Sequence, residues 1–300
     1  MTVIPLRSML FVPADSEKKL AKADGCVADA VILDLEDSVV PQNKAKARQL
    51  ARDFLLARPP GGRALQLWVR INALDSSLTL ADLDAIATGC PDGVMLPKTN
   101  GPDDVLKLSN YLDAFETAHS VPIGSIRIIP VVTETAVALF HLGGFSAARL
   151  ERLAGLTWGA EDLSAALGAS RNVDASGEWS FTYKLARSLT LLAANAAGVQ
   201  PLETLYTDFS DDEGLREACH AARAEGFTGR LAIHPTQIAG INACFMPSQD
   251  EIAYARRVLD AFAASPTAGA VGLDGKMLDI PHRKRAERVM DQAQAFGRTR

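Results

Sequence analysis

The stretch Ala30-Val-Ile-Leu-Asp-Leu-Glu-Asp37 shows in eight residues how this chain is built. Its apolar run does not alternate with polar residues, so a strand here has to be covered on both faces, as strands of a parallel sheet are. Apolar residues then recur at helical spacing over 42–57, behind Pro41, which suits a helix start. One strand and one helix make a βα unit. Working outward in both directions, the same unit recurs. Candidate strands fall at 8–12, 30–35, 66–71, 93–96, 126–132, 155–158, 202–207 and 230–233, with amphipathic segments at 17–23, 42–57, 80–87, 103–117, 135–142, 182–197 and 211–225. Pro102 suits a helix start, while Gly198 and Gly226 suit helix stops. Eight such units predict an α/β fold of the TIM (β/α)8 barrel type, in preference to an open doubly wound sheet.

A barrel uses roughly 250 residues, and the chain has 300. The division predicted is a catalytic barrel over 1–263 and an extension over 264–300. After a helix near 248–264 and a linker of small residues, two short apolar arms flank Asp274-Gly275, a tight-hairpin signal, and a last helix runs over 281–296. Hydrophobic residues make up 48% and charged residues 22%, which is the composition of a well-cored protein. With 31 Lys and Arg against 36 Asp and Glu, the net charge of −5 argues against nucleic acid or an anionic membrane as the main partner. The longest stretch without Asp, Glu, Lys or Arg, 231–249, carries His234, Pro235, Gln237, Asn242 and Pro247, and is not a membrane span. The apolar run 9–12 is too short for a secretory core, so a cytoplasmic protein is the default. Cys26, Cys90, Cys219 and Cys244 lack metal-binding spacing and read as reduced, mostly buried thiols.

Barrel enzymes work at the C-terminal ends of their strands, so polar residues just beyond each apolar run are the candidates for chemistry. They are Asp34-Leu-Glu-Asp37 after the second run, Arg70-Ile-Asn72 after the third, Pro97-Lys98 after the fourth, Glu134 after the fifth, Glu161-Asp162 after the sixth and His234-Pro235 after the eighth. Four or five acids on one rim repel unless something positive lies among them, and a divalent cation is the simplest answer. Oxygen ligands without His or Cys favour Mg²⁺. Glu134 and Asp162 are the expected direct ligands, with Glu36 and Asp37 holding metal-bound water. Glu36 and Asp37 could equally cap the next helix or pair with Lys44 or Arg48. Arg70 should point over the mouth, where a guanidinium grips a carboxylate with two parallel hydrogen bonds, or pairs with Glu36 or Asp37. Lys18, Lys19 and Lys22 suit a phosphate or pyrophosphate, or simply form a solvated face. His234 suits an acid/base or ligand contact, or a packed strand end. The other histidines, His282 among them, are assigned no role.

Taken in order, Arg7-Ser-Met-Leu-Phe-Val-Pro13, Ile32-Leu-Asp-Leu-Glu-Asp-Ser-Val39, Val69-Arg-Ile-Asn72, Glu134-Thr135, Trp158-Gly-Ala-Glu-Asp-Leu163 and Ile233-His-Pro-Thr-Gln237 resemble the citrate lyase β-subunit-like proteins of the HpcH/HpaI aldolase superfamily. The resemblance spans nearly the whole chain. It implies a Mg²⁺-dependent carbon–carbon lyase acting on a 3-hydroxyacyl-CoA, with an acyl-CoA thioester and a 2-oxo acid as partners. It makes Glu134 and Asp162 the metal ligands and Arg70 the clamp on the oxo-acid carboxylate, and lines the substrate and CoA path with Phe11, Lys22, Glu161, Ile233 and His234. Two departures stand out: Ala14 in place of the usual glycine after Val-Pro, and Thr133 before Glu134 where isoleucine is common. Gly275-Lys-Met-Leu-Asp-Ile-Pro281 is similar to the lid of stand-alone malyl-, citramalyl- and β-methylmalyl-CoA lyases. That likeness implies that Asp279 is an acid/base, in its own or a neighbouring subunit's site, and that the protein is a homo-oligomer, a trimer or dimer of trimers. The alternatives are a class II aldolase acting on free hydroxy-oxo acids and a non-catalytic protein that binds an oxo acid and Mg²⁺.

Overall fold

The computed structural model describes residues 5–297. They form two compact units, one over Leu6–Asn242 and one holding the residues from Ala243 on.

The first unit is the barrel. Its strands are β1 (Ser8–Pro13), β2 (Ala30–Asp34), β3 (Gln66–Arg70), β4 (Gly93–Leu96), β5 (Arg127–Pro130), β6 (Gly155–Leu156), β7 (Gln200–Glu203) and β8 (Gly229–Ala232). Hydrogen-bonded neighbours run β5-β4-β3-β2-β1-β8-β7-β6, and every pair is parallel. The ring closes between β5 and β6 through the parallel bridges Ile128 to Leu153 and Val131 to Thr157, with Ile128 N–H donating to the Arg152 carbonyl at 2.8 Å. Closure is what separates this fold from the open doubly wound sheet.

Around the ring lie α1 (Glu17–Ala23), α2 (Lys44–Leu56), α3 (Thr79–Ala87), α4 (Pro102–Ala118), α5 (Ala138–His141), α6 (Ala160–Leu167), α7 (Phe181–Ala196) and α8 (Asp212–Glu225), followed by α9 (Gln237–Cys244), whose last turn crosses the boundary between units. Their ends follow local chemistry. The Ser16 hydroxyl accepts from Lys19 N–H at the head of α1, Asp211 accepts from Gly214 N–H at the head of α8, and left-handed Gly168 ends α6. Two expectations from the sequence need correcting here. Asp162 and Glu161 do not end a strand: β6 stops at Leu156, and both acids lie in the first turn of α6, where the helix dipole favours negative charge. The seventh strand begins at Gln200 and ends at Glu203, so 204–207 is loop. In both places the apolar run outlasts the hydrogen-bonded strand.

Inward-facing Met9, Ile32, Trp68, Met95, Ile129, Leu202 and Leu231 fill the barrel, while Leu10, Val31, Leu67, Val69 and Val94, equally buried, face the helices. Trp68, 2% exposed, pairs in register with Gly93. A Cβ on Gly93 would lie 2.2 Å from the indole ring, so glycine is required by contact and not by backbone angle. No disulfide joins the cysteines; Cys219 and Cys244 are buried, Cys26 and Cys90 half-buried. No described helix is long and apolar enough to cross a membrane.

The second unit holds α10 (Gln249–Ala263), the antiparallel pair β9 (Ala270–Leu273) and β10 (Lys276–Asp279), and α11 (Ile280–Gly297). Ser248 and Glu251 form a reciprocal capping box on α10. Asp274 and Gly275 turn the hairpin at φ of 51° and 74°, as the Asp-Gly signal predicts. Ala255, Val258, Phe262, Leu278 and Ala286 make a small core of their own.

Gly93→Ala should lower stability in urea unfolding by about 1–3 kcal/mol through overpacking against Trp68. An unchanged midpoint would contradict the packing described.

Candidate active site

Strand β2 delivers Asp34, Leu35, Glu36 and Asp37 to the C-terminal rim, and β3, paired in register, delivers Arg70 opposite Asp34. Arg70 Nε and Nη2 donate to the two Asp34 carboxylate oxygens at 2.7 and 2.6 Å, and Nη1 lies 3.2 Å from Glu36 Oε2. The guanidinium stacks 4.7 Å above the Phe11 ring. The hydrogen bonds to Asp34 engage Nε–H and one N–H of Nη2, so the terminal nitrogens keep further N–H groups, the kind of donor that grips a carboxylate. Burial alone would raise the Asp34 pKa, but the Arg70 hydrogen bonds and charge, helped by Ser38 and the Glu36 amide, hold it below the ordinary value. Glu36 goes the other way. Its burial, with Asp37 beside it, outweighs the pull of Arg70 and Lys98 and raises its pKa.

Glu134 follows β5 and is 6% exposed. It accepts from the Lys98 amide at 2.5 Å, and burial, reinforced by the charges of Asp162 and Glu36, pushes it up to about 8. The Thr133 hydroxyl accepts from Gly159 N–H at 3.0 Å and donates to the Gly159 carbonyl at 3.2 Å, locking the end of β5 to the start of α6. Isoleucine could not make that clasp. Gly159 is needed for the same approach, since a Cβ there would meet Glu134 Cγ at 2.9 Å. Asp162, 33% exposed, extends from the first turn of α6 toward the same group of charges.

Lys98 completes the cluster. Its ammonium bonds Glu36 and lies 3.0 Å from Asp37 Oδ2 and 3.5 Å from Asp162 Oδ1; Glu36, Asp37 and the charge of Glu134 raise its pKa against the effect of burial. Sequence reading noted Lys98 at a strand end without giving it a role. Its backbone is left-handed, φ 52°, which lysine rarely adopts, and in that conformation its amide and its ammonium both reach neighbouring carboxylates.

The alternative partners weighed for Glu36 and Asp37 are engaged elsewhere. Lys44 donates to the Leu35 and Glu36 carbonyls and to Asn72, and Arg48 pairs with Asp82. Of the remaining candidates in this unit, Lys22 is exposed on α1 with Lys18 and Lys19. Glu161 is exposed and accepts from Asn172 at 2.9 Å. The Ile233 and His234 amides both donate to Gln237 Oε1, and the His234 ring stacks on Phe209 with centroids 4.9 Å apart. Ala14 is buried, its amide bonded to the Asp34 carbonyl at 3.1 Å without a left-handed angle, so its methyl group is accommodated. In the second unit, Asp279 is 45% exposed and its Oδ1 lies 2.5 Å from His282 Nδ1, a contact that lowers its pKa.

Among the described residues no three His, Cys, Asp or Glu side chains form a metal cage. Mg²⁺ does not require one, since it commonly takes one or two carboxylates and completes its shell with water and substrate oxygens. A buried carboxylate with too few donors, Glu134, facing a second acid, Asp162, fits that demand.

Fold and site together define a (β/α)8 enzyme with an acid-rich, doubly cationic site on its C-terminal rim. The family model of the HpcH/HpaI aldolase/citrate lyase group matches residues 7–235. The citrate lyase subunit beta of Escherichia coli K12 is 36% identical over 97% of this chain and 94% of its own, and the (3S)-malyl-CoA thioesterase of Cereibacter sphaeroides is 34% identical over 97% and 96%. A crystal structure of the protein CitE from Mycobacterium tuberculosis, in complex with magnesium, acetoacetate and coenzyme A, superposes with a TM-score of 0.78 at 34% identity, over 97% of this chain and all of that one. The chain belongs to the HpcH/HpaI aldolase/citrate lyase family and is a carbon–carbon lyase.

Asp34→Asn should cost about 3–5 kcal/mol at neutral pH, because Arg70 loses its main buried partner. The Asp34 pKa is depressed on folding, so its contribution is present above the ordinary value of 3.8 and disappears as pH falls through the folded value. The gap between wild type and variant in urea unfolding should therefore narrow as the pH is lowered below 3.8. A gap that does not change with pH would contradict the ionised bridge.

Proposed function

We propose that this lyase cleaves a 3-hydroxyacyl-CoA of the malyl-, citramalyl- or β-methylmalyl-CoA type to an acyl-CoA and a 2-oxo acid by retro-Claisen chemistry, or runs the reverse condensation, with Mg²⁺ as cofactor. The observation that carries the reading is the guanidinium of Arg70, fixed by Asp34 and paired with Glu36 within the field of Glu134, with N–H groups on its terminal nitrogens left to hold a carboxylate. The CitE complex with magnesium, acetoacetate and coenzyme A, and the thioester named for the Cereibacter relative, support the ligand class.

Glu134 and Asp162 would hold the ion, with Glu36 and Asp37 behind them. When bound, Mg²⁺ lowers the pKa of the substrate hydroxyl and stabilises the carbonyl that forms from it. Arg70 fixes the carboxylate of the emerging oxo acid, which aligns the bond to be broken. Phe11 packs its ring against the guanidinium and helps to fix its plane. Lys22, Glu161, Ile233 and His234 line the path of the thioester in this reading. The hydroxyl proton is lost to solvent as the carbon–carbon bond breaks and leaves its electron pair on the thioester as an enolate, and Asp279, after taking up a proton from solvent, passes it to that carbon. In the condensation direction the same carboxylate removes the proton, a task suited to a group that His282 keeps ionised. Asp279 lies on the hairpin of residues 264–300, which we assign as a lid over this subunit's site or a neighbour's. A cytoplasmic homo-oligomer, a trimer or dimer of trimers, belongs to the same reading.

Incubation with Mg²⁺ and a panel of malyl-, methylmalyl- and citramalyl-CoA, followed by mass spectrometry, should yield an acyl-CoA and a 2-oxo acid. Chelation should stop the reaction, and Glu134→Ala or Asp162→Ala should lower turnover by several orders of magnitude. Cleavage of a free hydroxy-oxo acid alone, or hydrolysis to free CoA and hydroxy acid, would contradict the proposal.

A further inference from the structure

We infer that Lys98 is the internal counter-ion of the carboxylate cluster, a positioning residue that holds Glu36, Asp37 and Asp162 together and competes with the divalent cation for them, so that it sets how tightly the ion binds. The inference rests on the assignment of Mg²⁺ to this rim. Three observations carry it. Lys98 is tied to the cluster twice, by its amide to Glu134 at 2.5 Å and by its ammonium to Glu36, Asp37 and Asp162. Its left-handed backbone, φ 52°, is a departure from lysine's ordinary range at the very residue that makes this double attachment. The two cations of the rim also differ in how firmly they are held. Arg70 is clamped at the end of a strand by a bidentate bridge to a carboxylate that is 1% exposed. Lys98 follows β4 in a loop, its side chain is 33% exposed, and its longest contact, 3.5 Å, is the one to Asp162.

An ammonium on a four-carbon stem can give up that contact while keeping Glu36, which the planar, strand-bound guanidinium cannot do. A doubly charged ion arriving at Asp162 meets the repulsion of the Lys98 charge. That repulsion weakens binding, while the same charge keeps the acids assembled beforehand. The two roles make opposite predictions about metal affinity. A residue that only shapes the site would weaken Mg²⁺ binding when removed; a competing counter-ion would strengthen it.

Isothermal titration of Mg²⁺ into wild type, Lys98→Met and Lys98→Arg separates them. Losing one charge at several ångströms should raise affinity by about tenfold in Lys98→Met, while Lys98→Arg, which keeps the charge, should stay near wild type. In thermal melts Lys98→Met should be less stable than wild type in chelator and gain more from Mg²⁺. Lys98→Gln serves the same test if the methionine variant does not fold by circular dichroism. Unchanged or weaker binding in the neutral variant, with wild type binding normally, overturns this inference and leaves the Mg²⁺ assignment standing. No binding by wild type overturns both.

Discussion

A carboxylate loses its hydration at high cost, and the mouth of this barrel buries three, Asp34, Glu36 and Glu134, at 1%, 4% and 6% exposure. Every other feature of the site answers that constraint. Counting Asp37 and Asp162, five acids face two cations, Arg70 and Lys98. Arg70 satisfies Asp34 fully and Glu36 in part, and Lys98 shares itself among three acids. Glu134 accepts the Lys98 amide, and its burial, with the charges of Asp162 and Glu36, raises its pKa far above that of an ordinary carboxyl. In the function proposed above, a divalent cation would supply the positive charge that these buried carboxyls lack.

The fold places that charge. Because all eight strands run parallel, their C-terminal ends meet on one side, and whatever follows each apolar run is delivered there. Closure of the ring matters most at the junction of β5 and β6. There the Thr133 clasp on Gly159 and the absence of a Cβ at Gly159 let Glu134 lie against the head of α6, which carries Asp162. Two acids 28 positions apart in the sequence thus share one field, and the α6 dipole partly offsets the cost at Asp162.

Much of this was legible in the sequence. Continuous apolar runs marked the strands because both faces are buried, and acids and bases just beyond them marked the rim. Asp274-Gly275 announced its hairpin because only a few residues accept two successive left-handed angles. What stayed hidden was geometry that residue type does not encode. The Trp158-Gly-Ala-Glu-Asp-Leu163 segment reads as a strand end, yet it holds two irregular residues and the start of an eight-residue helix too short to show a period. Lys98 bends against its own backbone preference. The Thr133 clasp depends on a seam between segments far apart in sequence, and the bidentate bridge from Arg70 went to Asp34, an acid treated only as part of a strand end.

The central claim, that this rim holds the divalent cation of the lyase, is tested most directly by anomalous diffraction from crystals grown with Mn²⁺ in place of Mg²⁺. The account predicts one strong peak bonded to the carboxylates of Glu134 and Asp162, within reach of a substrate carboxylate held by Arg70. A peak elsewhere, or none at concentrations that support turnover, would contradict it.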